Sequence, residues 1–227
     1  MNIRKLFAVM LAAMLSLVCF TGCGKQDVSG IAKTVWGLSP EDAVAAFDLS
    51  GETPTVHQTE GNISEVVYEY ADVTLLGQKC HITLSFTAPR DAAPGLNNYT
   101  CAFDSQNKAD AFYDALMKDA DAVTIDGTAG IGGADMLTKE QLDWLQNNSI
   151  YAGGENGIRV AMTGIFQSAK DVQENGYQDE EVPAILVKKS SAQTEKQTFY
   201  YVRVDGTILN MLSQREAYEQ LHRELSE

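Results

Sequence analysis

Histidine is scarce in this 227-residue chain: His57, His81 and His222 are the only three. None of them takes a spacing such as H-E-x-x-H, so nothing points to a histidine-based zinc or catalytic centre. The serine elbow G-x-S-x-G is missing, which removes the usual hydrolase nucleophile. The one glycine-rich stretch, Gly127 to Gly133, lacks the G-K-[ST] of a phosphate loop, and Asp135 stands where a dinucleotide fingerprint needs its last glycine. Asp126 and Asp135 flank it with negative charge, the wrong sign for a phosphate cradle. Basic residues are few too, 17 against 31 acidic ones, for a formal charge of −14. A surface of that sign is repelled by nucleic acid and by anionic lipid head groups. Long apolar runs are limited to one, Leu6 to Phe20, interrupted only by Ser16. That is short of the ~20 residues a membrane-spanning helix needs.

What is present begins with that run. Arg4 and Lys5 precede it, so residues 1–22 have the positive and apolar regions of a secretory signal. Phe20-Thr21-Gly22-Cys23 follows and resembles the lipobox of bacterial prolipoproteins, in which a small residue precedes an invariant cysteine. The resemblance implies that the Cys23 thiol takes a diacylglyceryl group, that cleavage falls just before it, and that its amine is often acylated as well. Phe20 departs from the usual leucine. On this reading Cys23 is the lipidation site, and two or three acyl chains anchor the chain stably to a bilayer, where one alone binds marginally. The expected location is the extracytoplasmic side of a cell membrane. Removing Arg4 and Lys5 leaves 15 basic residues against 31 acidic, a formal charge of −16. Lipid must therefore do the anchoring without help from a basic patch.

After Cys23 a short polar tether runs to residue 33, and residues 34–227 form the globular domain, with 44% hydrophobic residues over the whole chain. Four helix starts are legible. Ser39-Pro40-Glu41-Asp42 offers an N-cap, a first-turn proline and two acids for the helix dipole. Ser105 precedes Ala109, Phe112, Tyr113 and Leu116, an apolar stripe at helical spacing. Asp114 and Lys118 are placed for an i,i+4 pair. Thr138 with Gln141, and Ser213 with Glu216, make capping boxes, each with a hydrophobic staple: Leu137 with Leu142, and Leu212 with Ala217. Tyr218, Leu221 and Leu225 give the last helix its stripe.

Strands are expected at Ser64–Tyr70, Val73–Leu76, Lys79–Phe86 and Tyr99–Phe103. Three more are expected at Gly157–Phe166, Pro183–Lys189 and Thr198–Val204, by alternation and bounding turn residues. Gly77-Gln78 and Asp205-Gly206 read as turns. The fold class is therefore α+β: antiparallel sheet with helices packed on one face, as one domain or as two successive helix-plus-sheet units joined near residues 119–137. No internal repeat supports the two-unit version. The order resembles the helix-plus-hairpin modules of the β-lactamase-inhibitor-protein type, an analogy of fold alone.

Cys80 and Cys101 are the two remaining cysteines. Each lies on the apolar face of a strand, and the turn-rich stretch Ala88–Gly95 lies midway between them. As cross-strand neighbours in a hairpin they form a candidate disulfide, which an extracytoplasmic setting permits. The other reading is a pair of buried free thiols. Asp171, Asn175, Gly176 and Asp179 fit four positions of an EF-hand loop, but Gln173 and Val182 break it, so a hairpin loop is the expectation there. Trp36 and Trp144 are candidates for exposed stacking platforms, with partial burial the more ordinary outcome for Trp144. No residue is assigned a catalytic, cofactor or metal role. The expectation is a membrane-anchored module that binds an envelope protein or peptide. A cell-wall hydrolase using two carboxylates, and a solute receptor of a transporter, are the alternatives.

Overall fold

The computed structural model describes residues 30–118, 120, 122–125, 128–131, 136–138, 140–141, 144–145 and 184–226. Eight strands form one antiparallel sheet, in the order β1-β2-β3-β4-β8-β7-β6-β5. They are β1 Thr55–Thr59, β2 Ile63–Leu75, β3 Gln78–Pro89, β4 Gly95–Phe103, β5 Ala122–Ile125, β6 Thr128–Ile131, β7 Ile185–Gln193 and β8 Thr198–Asp205. Helices α1 Pro40–Ala46, α2 Gln106–Met117, α3 Thr207–Ser213 and α4 Arg215–Ser226 complete the α+β fold, and a π-helical turn, Gly30–Thr34, precedes α1. Residues 140–141 and 144–145 are also helical.

The sheet is two four-strand meanders joined along their last strands. In the seam Cys101 faces Val202 and Tyr99 faces Val204. A helix follows each meander and packs across the seam: α2 follows β4 yet lies on β8 as well as β3 and β4, and α3 follows β8 yet lies on β4 and β7. The two successive units suggested by the sequence thus share one sheet. The stretch 119–137, where the sequence suggests a join, contains the hairpin of β5 and β6, which extends that sheet beside β7.

Alternation explains which face is buried. On β3 the side chains of Cys80, Ile82, Leu84 and Phe86 are buried, and on β4 those of Tyr99, Cys101 and Phe103. Ala109, Phe112 and Leu116 of α2 cover this face, with the Phe103 and Phe112 rings 5.3 Å apart. Each such large side chain contributes roughly 1.5–3 kcal/mol when fully buried. His81 lies on the opposite, solvent-facing side from Cys80, as its strand parity requires.

Local signals acted where the sequence placed them, with exceptions. The Ser39 hydroxyl accepts from Asp42 N at 3.2 Å and caps α1. The Thr138–Gln141 box forms in both directions: Thr138 N donates to Gln141 Oε1 at 2.7 Å, and Gln141 N donates to Thr138 Oγ1 at 3.2 Å. The Ser213–Glu216 box does not form. Ser213 ends α3, an additional helix, and its hydroxyl donates to the Asn210 carbonyl at 2.7 Å. What reads as a turn at Asp205-Gly206 is the start of α3, where Asp205 Oδ1 accepts from Thr207 N at 3.1 Å and from the Thr207 hydroxyl at 2.6 Å. Ser105 occupies its N-cap position without a side-chain bond. Asp114 and Lys118 do not pair; the i,i+4 pair at this helix is Asp104–Lys108, at 2.8 Å.

The first two predicted strands are one long strand, β2, bent at the register shift between Tyr70 and Val73, where Asp72 has φ +58°. The hairpin turn is Leu76-Gly77, one residue earlier than expected, with φ +47° and +77°. Two successive left-handed residues make the tight turn whose twist suits a hairpin. Strand β1 is not among the strands expected from the sequence, and it carries His57. The expected strand Gly157–Phe166 and the Asp171–Glu181 loop lie outside the described residues.

Candidate functional site

Helices α3 and α4 close the sheet at the end where β3 finishes and β4 begins. Asn210 is the centre of that junction and is fully buried. Its Nδ2 donates to Thr87 Oγ1 at 3.0 Å, to the Thr87 carbonyl at 3.3 Å and to Asn97 Oδ1 at 3.3 Å. Its Oδ1 accepts from Gln214 Nε2 at 2.7 Å, and the same nitrogen reaches the Thr87 carbonyl at 2.9 Å. Asn97 is the extra residue of the β4 bulge, since Ser85 pairs with Asn98 and Phe86 with Leu96. The bulge aims a polar side chain inward where a regular strand would present an apolar one. Gly95 lies against Asn210 and the backbone of Gly37, so a side chain there would displace the network. Tyr218 of α4 is hydrogen-bonded to Thr87, and burial pushes its phenol up to about 12.

Beyond this junction the first two turns of α4 and the loop after β3 enclose an open groove of about 780 Å³. Ala92 and Ala93 form one wall, and Arg215, Glu216, Gln220 and Arg223 line the other. The polar side chains differ in how they are held. Arg215 is fixed: its Nε donates to Glu219 Oε1 at 3.0 Å, its Nη1 to Glu140 Oε1 at 3.0 Å, and its guanidinium lies 5.5 Å from the centre of the Trp144 ring. Trp144 Nε1 donates to Glu219 Oε1 at 2.7 Å. Hydrogen bonds from Arg215 and then Trp144 hold the Glu219 carboxyl below the usual carboxylate range. Arg223 is exposed and makes no hydrogen bond or ion pair among the described residues. Arg90, next to the alanine wall, is tied to Glu224 at 2.8 Å.

The sequence-nominated residues lie elsewhere. Trp36 and Trp144 are buried, not exposed platforms. Trp36 stacks on Tyr99 with centroids 5.9 Å apart and donates to the Ala32 carbonyl at 3.1 Å; Trp144 is held in the Glu219–Arg215 cluster. Cys80 and Cys101 are buried free thiols on the same sheet face. Cys101 sits opposite Ile82, not Cys80, so the two cysteines are diagonal neighbours across the β3–β4 pair. Burial, then a hydrogen bond with Cys80, pushes the Cys101 thiol well up, which keeps it protonated and unreactive. No group of three or more histidine, cysteine or carboxylate residues suited to a metal ion occurs among the described residues. Cys23 lies outside them, and no described helix is long and apolar enough to cross a membrane.

The groove is not legible in the sequence because its walls are brought together by the closure of α3 and α4 on β3. One signal was available: Arg215, Glu219 and Arg223 recur every four residues on one face of α4. No family model matches the chain, and neither a curated protein nor a solved structure does.

Proposed function

We propose that this chain is a lipid-anchored extracytoplasmic binding module whose α4 groove takes an extended segment of a peptide or of an envelope protein. The observation that carries this reading is the groove itself: a smooth alanine wall faces a row of fixed and free polar side chains. Ala92 and Ala93 leave room for a backbone to lie flat. The Arg215–Glu219–Glu140 cluster holds its geometry without rearrangement, which reduces the ordering cost of binding. Arg223 supplies a cation for a carboxylate or backbone carbonyl of the occupant. The lipobox-like Thr21-Gly22-Cys23 supports placement at a membrane surface, where the partner is another envelope component.

A photo-reactive amino acid at Gln220, inside the groove, is the test, with the same label at Lys196 in the β7–β8 turn as control. Irradiation of intact cells should give a discrete protein adduct from the Gln220 position alone. That adduct should weaken when Arg223 is changed to Glu. Equal adducts from both positions, or none from Gln220, refute the groove as the binding site.

A further inference from the structure

We infer that β1 is a docking edge for an extended basic segment of a partner protein, which adds to the sheet as a ninth strand. This surface shares no residue with the α4 groove, and the inference stands or falls separately from the reading above. Strand β1 is the first of the sheet and, among the described residues, pairs only with β2. All five of its residues are exposed. One side of its backbone ladder is therefore open to pairing among the described residues. Exposed edges are usually blunted by a lysine, a proline or a bulge. Thr55-Val56-His57-Gln58-Thr59 has none of these, and its register with β2 is unbroken over all five pairs.

The side chains around this edge define what fits. On the outer face, Glu69 lies opposite Thr55 and Glu65 opposite Thr59. The two carboxylates lie about 13 Å apart along β2, and Glu65 Oε1 also accepts from the Ser85 hydroxyl of β3 at 2.6 Å. Glu69 is half exposed and 3.8 Å from the His57 ring. Glu60 and Glu52 beyond the strand ends are also exposed. On the inner face Val56 is 52% exposed beside its cross-strand partner Tyr68. A strand added to β1 lies roughly 10 Å from β2, within reach of lysine or arginine side chains passing over the threonines. The complementary segment alternates basic residues, facing Glu65 and Glu69, with apolar ones that cover Val56. Backbone hydrogen bonds supply the affinity of such strand addition and alternate side chains its specificity. A second copy of this chain is disfavoured as the occupant, since each carries a formal charge of −14 and would bring the same carboxylates to the joint.

The probe is a fluorescent synthetic peptide of alternating lysine and valine, titrated by anisotropy against the full-length chain in detergent micelles. Saturable binding is expected. The Glu65→Gln/Glu69→Gln variant should bind about three- to ten-fold more weakly, the worth of two rim ion pairs. Thr55→Lys/Thr59→Lys, which places like charge on the edge, should bind more weakly still. The same peptide with N-methylated amides should not bind. Equal binding of the N-methylated peptide overturns strand addition, because charge alone would then account for the affinity. An unchanged affinity in the glutamine variant overturns the proposed complementarity; Glu69→Gln alone, at an exposed site away from the core, keeps this arm decisive if the double variant misfolds. A dimer of the chain alone that the peptide dissolves, seen by sedimentation, would assign the edge to a second copy and overturn the inference.

Discussion

Replacing Asn210 by alanine tests whether the polar junction under α3 and α4 holds the end of the sheet together. Asn210 is fully buried and serves three acceptor atoms on two residues, Thr87 and Asn97, while accepting from Gln214. After truncation the Thr87 carbonyl keeps its bond from Gln214 Nε2, at 2.9 Å. Asn97 Oδ1 loses the one donor it has among the described residues, Asn210 Nδ2, and stays buried. An orphaned buried polar group costs about 1–3 kcal/mol, and the small cavity adds about 1 kcal/mol. The expected loss is therefore about 2–4 kcal/mol, a fall of roughly 5–15 °C in the unfolding midpoint for a domain of this size. Thermal unfolding followed by far-ultraviolet circular dichroism measures it, with urea unfolding as a second estimate. Thr87→Val alongside completes a double-mutant cycle, in which the two changes should couple by about 0.5–3 kcal/mol. A loss below about 0.5 kcal/mol, or simple additivity with Thr87→Val, would show that the network is incidental to stability.

Three further outcomes are expected. Cys23→Ala should abolish incorporation of a fatty-acid analogue in growing cells, and equal labelling of wild type and variant would remove the lipoprotein assignment. Cys80 and Cys101, buried diagonal neighbours across β3 and β4, should both be alkylated as free thiols when the protein is denatured without reductant; mass spectrometry showing them joined would refute that reading. Glu219 should give an acid-sensitive contribution: its carboxyl is held low by Arg215 and Trp144, so its stabilisation is complete above the ordinary glutamate range and disappears as pH falls through the lower folded-state value. The Glu219→Gln variant should therefore show a shallower loss of thermal midpoint between about pH 5 and pH 3 than the wild type, and parallel curves would refute that linkage.

The elements legible in the sequence are those specified by neighbours a few residues apart. The Ser39 cap, the Thr138–Gln141 box and the alternating strands β3, β4 and β8 are of this kind, and α+β with antiparallel strands followed from them. Errors arose where distant segments decide. Strand β1 has no apolar alternation because neither of its faces is covered, so only pairing with β2 makes it a strand. The bend at Tyr70–Val73 splits the pattern of β2 without ending the strand. Ser213 has all the features of a helix start, yet the helix Thr207–Ser213 already occupies it, stabilised by Asp205 at its own start and by burial of Ile208 and Met211. The cysteine register was off by one diagonal because the bulge and the turn 90–94 set it, and neither is encoded by spacing alone. Of the groove, only the charged repeat along α4 was visible. Its facing wall comes from residues 92–93, more than a hundred positions earlier.

The seam between β4 and β8 has a consequence for how the chain matures. Strands β1 to β4 are contiguous in sequence and pair by short turns, so this half can assemble from local encounters. Its last strand then presents Tyr99, Cys101 and Phe103 on one face and an open hydrogen-bonding ladder along its side. The cover for that ladder, β8, arrives about a hundred residues later. Closing so long a loop is only modestly dearer than closing a short one, about 0.6 kcal/mol per doubling of length, but it is slow relative to the local steps. A half-built molecule is therefore exposed along β4 until synthesis brings Val202 and Val204 alongside. Chains that end before Thr198 would retain that raw edge permanently and should be cleared or aggregate, whereas chains cut after Asp205 would lose helices and keep a finished sheet.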